Sequence, residues 1–195
     1  KVPRHVFRER IEDRLVAADE AGVWGIVESA LVSGADPDEV LLDVISPAMV
    51  SIGARWEMGQ LSVAEEHQAS AVAGRVVARL GPRFSTRGRK RAEVVIGGVP
   101  GERHALPTAI AADVLRGARY DVVDLGADTP IESFVEAALA RTRLVAVLLS
   151  VTSSSNLEAV APTIQAVREE VPGVAVIVGG QAVDRATAAS LGSDG

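Results

Sequence analysis

Apolar residues recur with a helical period through the first 81 positions. Phe7, Ile11 and Leu15 are spaced by four; Trp24, Val27 and Leu31 form a second stripe. Leu41, Val44, Ala48 and Ile52 form a third, and Val72, Val76 and Leu80 belong to a fourth. This amphipathic spacing predicts a small helical bundle over residues 1–81. Ser33, Gly34 and Asp36-Pro37 punctuate the second and third helices. Pro47 is expected to kink the third helix and Gly59 to end it, and Ser62 with Glu65 reads as a capping box opening the next.

The period changes after a basic stretch at residues 82–91, Pro-Arg-Phe-Ser-Thr-Arg-Gly-Arg-Lys-Arg. That stretch is read as a solvated linker in preference to a phosphate patch. Beyond it, Glu93–Gly98, Tyr120–Gly126, Leu144–Val151 and Val174–Gly179 are short runs rich in β-branched residues, separated by helical stretches. Nearly continuous apolar strands alternating with helices predict a parallel sheet covered on both faces. The expected class is therefore α/β: a helical bundle at 1–81, a linker at 82–91 and a flavodoxin-like or Rossmann-like parallel-sheet domain at 92–195. The first residue is Lys1 and not Met, which points to a fragment. Asp194-Gly195 lies about where a fifth strand would follow.

Composition narrows the chemistry. Hydrophobic residues make up 48%, yet no apolar run approaches the roughly 20 residues of a membrane span, so no membrane contact is expected. There is no signal-peptide pattern, and a cytoplasmic location is the expectation. With no cysteine there are no disulfides, thiolate ligands or thiol nucleophiles. A net charge of −6, and no basic recognition helix before the bundle, argue against nucleic-acid binding within this chain. Any metal argument is confined to His5, His67 and His104.

Ligands of parallel α/β sheets bind outside the carboxyl ends of the strands. Gly101-Glu102-Arg103-His104-Ala105-Leu106-Pro107 follows the first predicted strand, Ser150-Val151-Thr152 ends the third, and Gly179-Gly180 ends the fourth. A loop histidine there can offer a neutral imidazole nitrogen to a transition metal. Glu102, two residues away, can accept the other ring N–H and fix the tautomer. Ser150 and Thr152 offer hydroxyls, and the glycines allow a ligand close to the backbone. Each motif alone is weak; an exposed polar loop or a glycine-ended strand is common.

The combination resembles the corrinoid-binding Rossmann-like domains. Their pattern is Asp-x-His-x-x-Gly, then Ser-x-Leu (or Thr or Val), then Gly-Gly. Here it reads Glu102-x-His104-x-x-Pro107, then Ser150-x-Thr152 after 42 intervening residues (108–149), then Gly179-Gly180 after 26 (153–178). The resemblance implies cobalamin bound base-off, with His104 as the lower cobalt ligand. Glu102, Arg103, Leu106, Ser150, Val151, Thr152, Gly179 and Gly180 would line the site. Glu for Asp lengthens the hydrogen-bonding arm, and Pro107 for glycine alters the dihedrals open to the loop.

In the helical half, Trp56 is followed by nine residues and then Glu66-His67. Taken alone this is a core tryptophan and a surface Glu-His pair. Beside the corrinoid pattern it resembles the helical cap of CarH-type light-sensing cobalamin proteins. That resemblance implies Trp56 against an adenosyl group on the upper cobalt face, with Glu66 and His67 in the same pocket. Light would break the cobalt–carbon bond and move the cap. Glu57 stands where the light sensors that form a bis-histidine adduct have a histidine, so any photoproduct would differ or use His67. The expected cofactor is adenosylcobalamin; a bilin, as in some stand-alone relatives, would have to be held non-covalently. A homo-oligomeric photoreceptor that is not an enzyme is the main expectation. A methyl-carrying corrinoid protein of a methyltransferase system is the alternative. A flavodoxin-like module without cobalamin is the third reading.

Overall fold

A computed structural model describes residues 4–195; the start of the predicted bundle, residues 1–3, lies outside the described residues. The chain divides into two compact units, one ending at Ser85 and the other running from Thr86 to Gly195.

The first unit holds α1 (Arg4–Val16), α2 (Glu20–Val32), α3 (Pro37–Glu39), α4 (Ser46–Glu57) and α5 (Val63–Leu80). The predicted stripes supply its core: Phe7, Ile11, Leu15, Val27, Leu41, Val44, Ile52, Val72, Val76 and Leu80 are all buried. Each such side chain withdrawn from water contributes about 1.5–3 kcal/mol. Leu31 is only half-buried, because α2 turns Val23, Ile26 and Ala30 inward instead. Trp24 is buried under the Arg79 guanidinium, which lies 3.8 Å from the ring centroid.

The kink expected at Pro47 takes a specific form. Residues Val40–Ile45 make a π-helical segment joining α3 to α4, and the Ser46 N–H donates to the Leu41 carbonyl, five residues back. Proline has no N–H and its ring crowds the carbonyl four residues earlier, so a wider turn just before it relieves the conflict. At the other end of α4 the Gln60 N–H donates to the Arg55 carbonyl and the Gly59 N–H to the Trp56 carbonyl. This is a Schellman closure with Gly59 at φ +71°. The Ser62–Glu65 capping box then opens α5: Glu65 N–H donates to Ser62 Oγ at 3.2 Å and Ser62 N–H to Glu65 Oε2 at 2.8 Å.

The second unit is built on β1 (Glu93–Gly98), β2 (Asp121–Asp124), β3 (Leu144–Ser150) and β4 (Ala175–Gly179), all parallel in the order β2-β1-β3-β4. The second strand is shorter than its apolar run: Leu125 and Gly126 already belong to the loop after it. Helices α7 (Ile131–Leu139) and α8 (Val160–Glu170) cover one face, where Phe134, Ile164 and Val167 pack on Val95, Val147, Leu149, Val176 and Val178. On the other face α6 (Leu106–Gly117) lays Ala112 over Ile96 and Val122, with Leu148 at the margin of that cluster. Ile177, paired with Leu148 in the register, stays 37% exposed. The last helix is α9 (Arg185–Ser190). The basic stretch is shared out between the units. Gly81–Phe84 forms a 3-10 turn with Phe84 buried, while Arg91 N–H donates to Arg119 O in the second unit.

The order reverses direction between β1 and β3, which opens a crevice at their carboxyl ends. The register sets Gly98 beside Ser150 and Ser150 beside Gly179 along that edge.

An added Cβ at Gly59 meets no atom within 4 Å. Gly59→Ala is therefore expected to fold but to lose about 1–2 kcal/mol, the cost of the left-handed backbone for an L side chain. Urea unfolding of the two proteins measures this; equal stability would show that the Schellman turn does not constrain the α4–α5 junction.

Candidate cofactor-binding site

The loop from β1 to α6 carries Glu102 and His104. Glu102 is fully buried, and five donors converge on its carboxylate. Oε1 faces His104 Nδ1 and accepts the His104 N–H at 3.1 Å. Oε2 accepts from Thr152 N–H at 2.6 Å, Ser153 N–H at 3.0 Å and Asn156 Nδ2 at 3.2 Å. Burial pushes this carboxyl up, but the hydrogen bonds from Ser153, from the His104 ring and backbone and from Thr152 outweigh it. They hold the carboxyl below the ordinary glutamate range.

An ionised Glu102 needs a proton on His104 Nδ1, which leaves the Nε2 lone pair for a metal. The His104 side chain is half exposed, so that nitrogen is accessible. Pro107 falls within the first turn of α6, where an N–H would have no helical partner. The departure from glycine is thus absorbed by the helix, and the histidine still precedes it in the loop.

Ser150 and Thr152 stand across the crevice. Thr152 Oγ1 is buried and has no hydrogen-bond partner among the described residues, which leaves its hydrogen-bonding capacity unmet. Below Ser150 and Gly179 on the same sheet face lie Leu148, at the margin of the α6 cluster, and Ile177, which is outside that cluster and part-exposed. They form an apolar floor that the sequence gives no reason to single out, since both read as ordinary strand interior.

The two glycines separate. A Cβ on Gly179 would meet nothing within 4 Å. At Gly180, with φ +126°, it would overlap the backbone of Val151. Only Gly179 borders open space. Gly180 is required by the close approach of two backbone segments, which corrects the expectation that both simply make room for a ligand. Val151 itself points into the α7–α8 core, and its N–H donates to Gly179 O at 2.8 Å. Leu106 is the half-buried first residue of α6, and Arg103 is exposed.

In the helical unit, Trp56 lies in the last turn of α4 and is 42% exposed, so it is not a core tryptophan, as Trp24 is. Met58 and Val63, in the same α4–α5 junction, are also exposed. Glu66 Oε1 accepts from Ser70 Oγ at 2.6 Å, and His67 Nε2 lies 3.7 Å from Glu66 Oε2.

Residues 7–80 and 92–194 each match a family model described as a B12 binding domain. The chain belongs to the B12-binding proteins. It is 27% identical over 190 residues to the dimethylamine corrinoid protein of Methanosarcina barkeri, covering 95% of this chain and 88% of that one. It is 30% identical over 132 residues to trimethylamine corrinoid protein 1 of Methanosarcina acetivorans, covering 66% of this chain but only 61% of that relative. The solved monomethylamine corrinoid protein of Methanosarcina barkeri superposes with a TM-score of 0.83 at 17% identity, covering 98% of this chain and 92% of that one. At that identity the likeness speaks for the fold.

The residues of this B12-binding protein fit a corrinoid. One imidazole nitrogen is free for cobalt, a buried hydroxyl lacks a partner, and an apolar floor runs past Gly179. No helix is long and apolar enough to cross a membrane among the described residues.

Two expectations follow from the geometry. Glu102→Gln would set an amide NH2 against N–H donors, costing about 1–3 kcal/mol at neutral pH. Because the folded carboxyl titrates lower than the unfolded one, its stabilising effect is complete above the ordinary glutamate range and is lost as pH falls through the folded value. Thermal melts of both proteins should therefore converge in acid; a constant gap would mean the carboxylate charge contributes nothing. Gly179→Leu should fold yet bind cobalamin at least about tenfold more weakly, by closing the space over the floor, whereas Gly180→Leu should be destabilised even without ligand. Melting and spectrophotometric titration separate the two; equal behaviour would sink the distinction.

Proposed function

We propose that this protein is a methyl-carrying corrinoid protein of a methyltransferase system, binding cobalamin base-off with His104 as the lower ligand. When bound, the corrin supplies a cobalt centre able to hold a methyl group. The chain's own residues bind, orient and tune it. His104 Nε2 would ligate the cobalt, Glu102 would hold the imidazole tautomer, and Ser150 and Thr152 would hydrogen-bond the nucleotide tail near Leu148 and Ile177. The observation that carries this reading is the buried Glu102 carboxylate set against His104 Nδ1 at the carboxyl edge of the sheet. Support for this reading comes from the dimethylamine corrinoid protein of Methanosarcina barkeri, which the chain resembles along most of its length. In the helical unit, Trp56, Glu66 and His67 are the residues proposed to contact the corrinoid as well.

A second reading, a light sensor that binds adenosylcobalamin, is favoured by one observation. Trp56 leaves a large indole exposed, as are Met58 and Val63 in the same junction, and nine residues separate it from Glu66-His67. A rigid aromatic with an uncommitted face suits a bulky, planar upper ligand.

Reconstitution distinguishes them. Protein loaded with methylcobalamin and mixed with a thiol acceptor and a corrinoid methyltransferase should lose its methyl group in the dark. Protein loaded with adenosylcobalamin and lit with green light should change its spectrum and elution volume only if the sensor reading holds. His104→Ala is expected to weaken cobalamin binding and give a spectrum without protein imidazole; an unchanged spectrum would remove the ligation. Trp56→Ala should keep binding but lose any preference for adenosylcobalamin over methylcobalamin. A retained preference would make Trp56 irrelevant to the upper face.

A further inference from the structure

The loop that carries His104 is tied from a second side by a residue outside every motif discussed so far. Asp128, in the loop between β2 and α7, makes a reciprocal pair with it. Its Oδ1 accepts the Gly101 N–H at 2.7 Å, and its own N–H donates to the Glu102 carbonyl at 2.6 Å. The neighbouring Thr129 N–H donates to the Gly98 carbonyl at 3.0 Å. Asp128 holds φ +48°, a left-handed backbone that few non-glycine residues adopt, and aspartate is among those that tolerate it. Its side chain is exposed, and it makes no ion pair among the described residues.

The consequence lies in direction. The hydrogen bonds from Thr152, Ser153 and Asn156 hold the Glu102 carboxylate from the β3 side. They do not hold the backbone that precedes it. Gly101 at φ +85° lets the chain turn there, and the Glu102 N–H closes that turn by donating to the Val99 carbonyl at 2.9 Å, but among the described residues the Gly101 N–H itself is held by Asp128 alone. We propose that Asp128 is a positioning residue for the lower ligand. By fixing the Gly101 N–H and the Glu102 carbonyl, the peptide groups on either side of the Gly101–Glu102 bond, from the β2 side, it sets the height of His104 and hence how fully its Nε2 engages cobalt. This rests on the reading of His104 as the ligand.

The test uses the full chain loaded with cob(II)alamin. Its unpaired electron lies along the axis toward the lower ligand, so an axial nitrogen splits each cobalt line in the paramagnetic-resonance spectrum. Protein grown with 15N-histidine changes those triplets to doublets if the nitrogen is the protein's. Asp128→Gly keeps the left-handed backbone and removes only the carboxylate; Asp128→Asn keeps an acceptor oxygen at the same place. The expected result is full histidine coupling in the wild type and in Asp128→Asn. In Asp128→Gly the ratio of ligated to unligated cobalt should fall roughly tenfold, as for the loss of one charge-assisted hydrogen bond, with little change in the melting temperature of the apo protein. Full coupling in Asp128→Gly overturns the proposal and makes Asp128 a loop residue only. Loss of coupling in Asp128→Asn overturns it too, since the acceptor is retained. Should Asp128→Gly fail to fold, Asp128→Ser, whose hydroxyl is too short to reach Gly101, takes its place with the same expected loss. If the wild type shows no response to 15N-histidine, the ligation reading itself falls, and the proposal with it.

Discussion

A carboxylate taken wholly out of water costs several kcal/mol unless its lone pairs are met. Glu102 is in that position, and the donors that meet it come from its own loop and from the loop after β3. The same carboxylate faces His104 Nδ1. One buried charge therefore joins the two loops that border the crevice and sets which imidazole nitrogen is left for a metal. Removing any donor weakens both effects together, because the desolvation cost stays when a partner goes.

That arrangement depends on the sheet. The β2-β1-β3-β4 order puts the chain reversal between β1 and β3, so the loops following these two strands open on the same crevice. Gly98, Ser150 and Gly179 stand in adjacent register positions at its edge. The α6 helix covers the β1–β2 half of one face and leaves Ile177 accessible. The opposite face is closed by α7 and α8 around Phe134. One face only thus carries an accessible apolar floor, on the same side of the sheet as Ser150.

The helical unit follows different physics. Its core is an amphipathic bundle with ordinary caps, and its irregularities lie in the helix leading to Trp56. A π-helical segment precedes Pro47, and a Schellman turn closes α4 directly after Trp56 and Glu57. The last turn of α4 therefore ends on a defined backbone, and the indole on it remains part-exposed. Exposed large apolar groups in one turn are costly unless something covers them.

Much of this was legible in the sequence. Periods of 3.6 and of continuous apolar runs reflect which faces must leave water, so the helical bundle, the parallel sheet and most strand limits could be read directly. Motif spacing located Glu102, His104, Ser150, Thr152 and Gly179, because strand and helix lengths fix where loops return to one edge. Other features have no signature in one dimension. Asn156 and Asp128 are single polar residues in loops, and only folding brings them to Glu102 and Gly101. Gly179 and Gly180 are identical letters, yet one borders empty space and the other a neighbouring backbone. Trp24 and Trp56 both sit on helical stripes, and packing alone decided that the first is buried and the second exposed. The sequence by itself determined which segments bury apolar surface and which residue types stand at the sheet's edge. The tertiary structure decided which of those residues touch, because hydrogen-bond partners and open space depend on distances between segments far apart in the chain.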